Sequence, residues 1–160
     1  MTAVIDAPSA QVGQQPGQSM RDYRDVFAWP TTINNITGHV YLQLGTTVDA
    51  LVMRAGSGAE VNNFLARHML RVPIIVVPGD PSDWIFLTQP RTTMRMSSWD
   101  DLVRTQIGWK PLGESILLPS LDNVSEGVRW LERPQPHMTL PPWTTVADAA
   151  RSTSLPRGAW

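Results

Sequence analysis

A segment of helical periodicity between two short apolar strands is the feature that most constrains the fold of this 160-residue chain. Residues 57–71 repeat apolar side chains at helical spacing, which predicts a helix that buries one face. The strand-like segment Asp49–Arg54 precedes it, and Ile74–Val77 follows it after the helix-breaking Pro73. The residues expected on the buried face are Val61, Phe64, Leu65 and Met69.

Further strands and helices interleave along the chain and indicate the α+β class. Strands are predicted at residues 39–44, 84–87, 115–118 and 127–131, and a second helix is predicted at 99–106. Ile74–Val77 and residues 84–87 flank a tight Pro-Gly-Asp-Pro turn, as in a hairpin. We therefore expect a mixed or antiparallel central sheet, built from segments 49–54, 74–77, 84–87 and 115–118, with helices packed on it.

Composition divides the chain into three parts. Residues 1–20 are rich in Ala, Pro, Gly, Gln and Ser without periodicity, which predicts a disordered N-terminal tail. Residues 21–133 carry the predicted strands and helices of a single domain, in line with the length of the chain. Residues 134–160 read as a proline-rich extension, with a short helix predicted at 144–151.

Charge and cysteine content exclude several classes of function. Lys+Arg number 13 against 14 Asp+Glu, so the net charge of −1 gives no global attraction to nucleic acid or membranes. The chain has no cysteine, which excludes disulfides, cysteine nucleophiles and thiolate metal sites. Neither a signal peptide nor a membrane-length apolar run is visible, so we expect a cytoplasmic protein without a membrane partner.

The remaining chemistry-bearing residues favour binding over catalysis. The three histidines have no companions at ligand spacing, and phosphate-loop and zinc-protease motifs are absent. We therefore expect no catalytic residue, no metal site and no cofactor. Arg91 and Arg95, close to Trp99, form a basic cluster of the kind that binds single-stranded nucleic acid, unless they belong to an ordinary solvated loop. Trp143 and Trp160 lie in the irregular C-terminal part, where exposed aromatics mark protein contacts.

Three blocks, in order along residues 29–134, resemble a known family. They comprise Asn34-Asn35-Ile36 with Gly38 and residues 50–56; residues 72–79 with 84–87 and Pro90; and residues 108–110 with Gly113, 115–120, Gly127 and Trp130. This pattern is similar to the small primase-polymerase domains of the archaeo-eukaryotic primase type, found in plasmid, phage and actinobacterial proteins. The resemblance implies a sheet of the RRM-like primase-polymerase type.

The chain departs from that family where the family holds its metal ions. Val52 and Arg54 stand at the positions of two metal-binding aspartates, and Gly108 stands at the position of a third. The family's histidine position falls at about Asp83-Trp84. Metal-dependent phosphoryl transfer needs carboxylates that hold divalent ions against the triphosphate. The resemblance therefore implies a catalytically inactive domain.

Two functions follow from this reading. In the first, Arg54 binds a phosphate of a nucleotide or nucleic acid, helped by Lys110, Arg91 and Arg95, unless Arg54 pairs with a nearby acid instead. In the second, the chain is a protein–protein adaptor with a filled former active site, and its C-terminal extension makes the contacts. An outlying third hypothesis is that Asp49, Asp80 or Asp83 rebuilds a metal site.

We expect the purified protein neither to start nor to extend a primer with Mg²⁺ or Mn²⁺, because the required carboxylates are replaced. Incorporation of a labelled nucleotide measures this directly. Incorporation that disappeared in Asp49→Ala or Asp83→Ala would show that the metal ligands have moved. Incorporation that survived both substitutions would show that the site lies elsewhere in the chain.

Overall fold

The computed structural model describes residues 16–119 and 127–154, with side chains from residue 21 onward. Within these residues the helices are α1 (Pro16–Phe27), α2 (Ala55–Arg67), α3 (Met96–Arg104) and α4 (Trp143–Ser154). The strands are β1 (Thr31–Ile33), β2 (Val40–Gln43), β3 (Asp49–Arg54), β4 (Ile74–Val77), β5 (Asp83–Thr88), β6 (Gly108–Trp109), β7 (Ser115–Leu117) and β8 (Arg129–Glu132). No helix in this part of the chain is long and apolar enough to cross a membrane.

The strands form two antiparallel sheets. The smaller sheet has the order β1-β2-β7, and the larger has the order β6-β3-β5-β4-β8. The centre of the larger sheet is the β3–β5 pair, which runs in unbroken register from Asp49 opposite Thr88 to Arg54 opposite Asp83. The predicted α+β class with antiparallel strands and packed helices is confirmed, whereas the RRM-like type stays a prediction.

The larger sheet separates two hydrophobic cores. Because successive side chains of a strand face opposite sides, Ala50 of β3 points to the core shared with the smaller sheet and α1. Leu51 and Met53 point the other way, into the core formed with the helices α2, α3 and α4. The molecule is therefore layered, with the larger sheet between the smaller sheet and three helices.

Tyr23 anchors α1 to the first of these cores. Its buried hydroxyl donates a hydrogen bond to the Pro119 carbonyl at 2.6 Å and accepts one from Trp130 Nε1 at 3.1 Å. Its ring stacks on Trp29 with a centroid separation of 6.0 Å, and burial raises the pKa of Tyr23.

The start of α1 falls inside the segment predicted as a disordered tail. This helix begins at Pro16, whereas the tail was predicted over residues 1–20; residues 1–15 lie outside the described part.

The predicted long helix is confirmed in its central part, but both of its ends differ. α2 begins at Ala55, two residues before the predicted start, and its N-cap Arg54 makes no side-chain capping bond. Val61 and Leu65 are buried as predicted, and Phe64 is half-buried. Met69 is 93% exposed, and the prediction of its burial is wrong.

The reason lies in how α2 ends. The amide of Leu70 donates back to the Leu65 carbonyl at 2.9 Å, and Met69 adopts a left-handed φ of 57°. This is the geometry of a helix C-terminal cap, with a non-glycine residue in the left-handed position. The reversal turns the Met69 side chain away from the face occupied by Val61 and Leu65.

The C-terminal helix is part of the core and not an appendage. α4 is longer than predicted and buries five side chains, those of Trp143, Val146, Ala147, Ala149 and Ala150. It packs against α2 and α3.

Residues 115–118 were predicted to belong to the central sheet, and this prediction is wrong. They include β7, which pairs with β2 in the smaller sheet.

We expect Gly58→Ala to lower the melting temperature. A Cβ at this position would lie 2.7 Å from Trp84 Cε3 and 3.1 Å from Trp84 Cβ. Overpacking of this kind costs about 1–3 kcal/mol, which exceeds the gain of up to about 1 kcal/mol from replacing a helical glycine. Gly56→Ala is the matched control, because nothing lies within 4 Å of its Cβ, and it should leave the melting temperature unchanged or raise it. Equal melting temperatures for the two variants would contradict the close packing of α2 on β5.

Candidate functional site

Arg54, the predicted centre of the phosphate site, lies at the exposed end of β3. Its side chain is 59% exposed, and Nη1 lies 3.4 Å from Oδ1 of Asp83, its cross-strand partner in β5. This is the alternative in which Arg54 pairs with an acid. Exposed pairs of this length contribute at most about 1 kcal/mol to stability, so the guanidinium is only loosely held.

The positions that the resemblance aligns with metal ligands are neighbours across three strands. Val52 faces Gly108 of β6 on one side and Ile85 of β5 on the other, two residues before Arg54. The acid beside them, Asp83, is the partner of Arg54. Among residues 16–119 and 127–154, no three His, Asp or Glu side chains come close enough to hold a metal ion.

Arg91 occupies a buried ion pair with Asp49. Its Nε and Nη2 donate to the two carboxylate oxygens at 2.6 and 2.7 Å, and its backbone amide adds a bond of 3.1 Å. Nη2 also donates to the Lys110 carbonyl, and the guanidinium carbon lies 5.1 Å from the centroid of the Trp143 ring. Asp49 is fully buried and the Arg91 side chain is only 16% exposed, so both groups serve the fold and neither is open to a ligand.

Trp143 lies beneath this arginine and is 1% exposed. The prediction that it forms an exposed protein contact is therefore wrong. Trp143, Val146, Ala147 and Ala150 fall at i, i+3, i+4 and i+7, which places them on one face of α4. That spacing was the sequence signal of a buried helix. Trp160, the second predicted contact, lies outside the described residues.

Lys110 lies away from Arg54. The register of β6 on β3 sets Trp109 opposite Leu51, so Lys110 follows on toward Ala50. This places it four residues from Arg54 along β3, roughly 13 Å at the rise of a strand. Its Nζ is 3.9 Å from Glu114 Oε1, and its side chain is 36% exposed. The structure thus brings Lys110 close to Arg91 and not to Arg54.

Arg95 is the predicted cation that lies in a pocket. It is the N-cap of α3 and exposed, and within the described part of the chain its side chain has no hydrogen bond or ion pair. The pocket has a volume of about 310 Å³. Its lining residues are Thr93, Met94, Arg95, Ser97, Ser98, Thr144, Asp148 and Arg151.

Arg151 brings a second guanidinium to this pocket from α4. Its Nε and Nη2 donate hydrogen bonds to Asp101 Oδ2 at 3.1 and 2.7 Å. Its Nη1 lies 3.4 Å from Asp148 Oδ1. The hydrogen bonds to Asp101 raise the pKa of Arg151, and Arg104 donates to the other oxygen of Asp101 at 2.7 Å. Arg151 is therefore held in a fixed position with a quarter of its side chain exposed.

Hydroxyl and amide donors complete the lining of the pocket. Ser98 is 8% exposed as a residue, and its hydroxyl makes no hydrogen bond to another described residue. The amides of Ser98 and Trp99 donate to the Arg95 carbonyl, whereas those of Met96 and Ser97 precede the first helical bond. The partial positive charge of a helix N-terminus adds to the two guanidinium groups. Asp148 is the one acid in the lining, and its side chain is 65% exposed.

Comparison with protein-family models finds no match for the chain, and neither curated proteins nor solved structures give one. The resemblance to primase-polymerase domains consequently stays a prediction. Sequence reasoning identified Arg95 but missed Ser98 and Arg151. The helix predicted at 99–106 begins at Met96, so Ser98 lies within its first turn. The approach of Arg151 depends on how α4 packs against α3.

We expect Arg91→Met to lower the free energy of unfolding by about 3–5 kcal/mol, because it leaves the buried Asp49 carboxylate unpaired. Chemical denaturation measures the loss. Arg54→Met is the matched control at an exposed pair and should cost less than about 1 kcal/mol. Adding Asp49→Leu to Arg91→Met should recover much of the loss, since the uncompensated charge is gone. Similar costs for both single variants would contradict the buried pair.

Proposed function

We propose that the chain is a non-catalytic module that binds a phosphate group of a nucleotide or nucleic acid, and that Arg95 is the principal cation. The observation that carries the proposal is the pocket at the start of α3. There, Arg95, whose side chain has no partner among the described residues, shares the lining with Ser98, whose hydroxyl bonds to no described residue, and with Arg151, which Asp101 holds in place. The cytoplasmic location predicted from composition belongs to the same proposal.

The donors in this pocket suit a phosphate. A phosphate presents several oxygens around one centre and accepts best from charged donors and from free helix amides. The planar fork of arginine can bind two of these oxygens at once. The pocket offers Arg95 and Arg151 against the single carboxylate of Asp148, so its lining carries a net positive charge.

The side chains at the positions that resemble metal ligands and in the pocket support binding without catalysis. The positions that resemble metal ligands hold Val52, Arg54 and Gly108, none of which can coordinate a divalent ion. Ser97 and Ser98 have no histidine among the residues that line the pocket, so no neighbouring base activates them.

The second candidate function is protein binding. Met96 and Val103 lie seven residues apart on one face of α3 and are 75% and 64% exposed. Two large apolar side chains on one exposed helix face favour a contact with another protein over a purely solvated surface. This adaptor function would use the outer face of α3 and not the buried Trp143.

We expect Arg95→Gln to weaken the binding of inorganic tripolyphosphate by about 10- to 150-fold, the equivalent of about 1.5–3 kcal/mol for a hydrogen bond to a charged group. Isothermal titration calorimetry measures this affinity, which should also fall between about 50 and 200 mM salt. Arg54→Gln removes an exposed arginine at the far end of β3 and should leave the affinity unchanged.

A loss of affinity in Arg54→Gln but not in Arg95→Gln would move the site back to the end of β3. Absence of tripolyphosphate binding by the folded wild type would refute the phosphate site and favour the adaptor function.

A further inference from the structure

We infer that this site takes single-stranded nucleic acid, with a phosphate in the α3 pocket and the adjacent base stacked on Trp99 and Trp109. The inference rests on the phosphate site proposed above and adds the part of the ligand that lies next to the phosphate. Arg95 is the N-cap of α3, and Trp99 lies in the first turn of that helix, directly after the lining residue Ser98.

The two tryptophans form a half-buried aromatic pair. Their ring centroids are 4.7 Å apart at an interplanar angle of 62°, an edge-to-face arrangement. Both side chains are half-buried, so part of each indole remains accessible. Trp143 lies 6.0 Å behind Trp99 and is fully buried. In the proposed complex the base stacks on the accessible part of this outer pair, and the inner ring lies behind it.

Two lining residues of the pocket lie near the tryptophans in the fold. Met94 lines the pocket and, like Trp99 and Trp109, packs against the core formed with α2, α3 and α4. Thr144, another lining residue, directly follows Trp143 in α4. In the proposed complex the strand leaves the pocket on this side and reaches the tryptophan pair.

Buried interactions hold the pair in place before any ligand arrives. The Arg91 guanidinium covers the Trp143 ring, and the same guanidinium is fixed by Asp49. A surface that is already ordered loses little conformational entropy on binding. Lys110 follows Trp109 directly and adds a partly exposed cation on the side away from the pocket.

Single strands fit this arrangement better than duplexes. Bases in a duplex stack on each other, whereas unpaired bases can stack on an aromatic side chain, whatever their identity. The net charge of −1 supplies no general attraction to polyanions, so binding has to come from local contacts. A base on the tryptophan pair provides such a contact beside the phosphate.

The test compares two oligomers with equal charge. A short oligothymidylate and an abasic oligomer of the same length carry the same phosphates, but only the first has bases. We expect the wild type to bind the oligothymidylate about tenfold or more tightly than the abasic oligomer, as one stacked base would give, with quenching of tryptophan fluorescence. Fluorescence anisotropy with end-labelled oligomers gives the affinities.

Trp99→Leu should abolish the preference and leave the affinity for the abasic oligomer unchanged, whereas Trp99→Phe keeps an aromatic face and should retain most of the preference. Arg95→Gln should weaken the binding of both oligomers. Trp109→Leu provides a second variant of the pair if Trp99→Leu does not fold in a thermal melt.

The outcomes separate this inference from the proposed function. Equal affinity for both oligomers, with the effect of Arg95→Gln retained, would overturn the stacking site and leave the phosphate site standing. Binding of neither oligomer, or binding unaffected by Arg95→Gln, would overturn both. Duplex DNA bound as tightly as the oligothymidylate would also overturn the inference, because its bases cannot reach the tryptophans.

Discussion

The buried ion pair between Asp49 and Arg91 is the interaction on which the arrangement of this side of the molecule depends. A carboxylate without solvent exposure is tolerated only when charged and amide donors surround it, and here Arg91 and the Ala50 amide supply them. Arg91 also reaches the Lys110 carbonyl and the Trp143 ring. One guanidinium thus joins the start of β3, the segment after β6 and the first residue of α4. The loop that leads to Arg95 starts from this fixed point.

Sequence patterns predicted the elements whose residues repeat locally. β3, β4 and the body of α2 could be located because apolar periodicity and the closing proline are properties of adjacent residues. The strands β1 and β6 have three and two residues, too few to show alternation, and they exist because β2 and β3 pair with them. The second sheet was missed for a different reason: β2 and β7 were predicted as strands, but their pairing joins segments about 75 residues apart.

In the candidate site too, the sequence shows which residues are arginines, but only the fold shows which acid each arginine pairs with. Arg91 and Arg95 are four residues apart and were predicted to act together. One is bound to Asp49, 42 positions earlier in the chain, whereas the other has no partner in the described residues. Nothing in the local sequence distinguishes them, because burial depends on where β3 and α4 pack. The same applies to Arg151, whose position is set by Asp101, 50 residues away.

The proposed binding site is compatible with a stable fold because the arginine that holds the fold, Arg91, is not the arginine proposed to bind the ligand, Arg95. If Arg91 left Asp49, the buried carboxylate would have no charged partner. Arg91 is therefore unsuited to reversible ligand binding. Arg95 loses no internal bond when it turns toward a phosphate, although it must give up side-chain entropy. Arg151 is already ordered by Asp101 and loses less. In the proposed site, Arg95 would move to bind an anion while Arg151 stays in place, and the Arg91–Asp49 ion pair would keep its contact with Trp143.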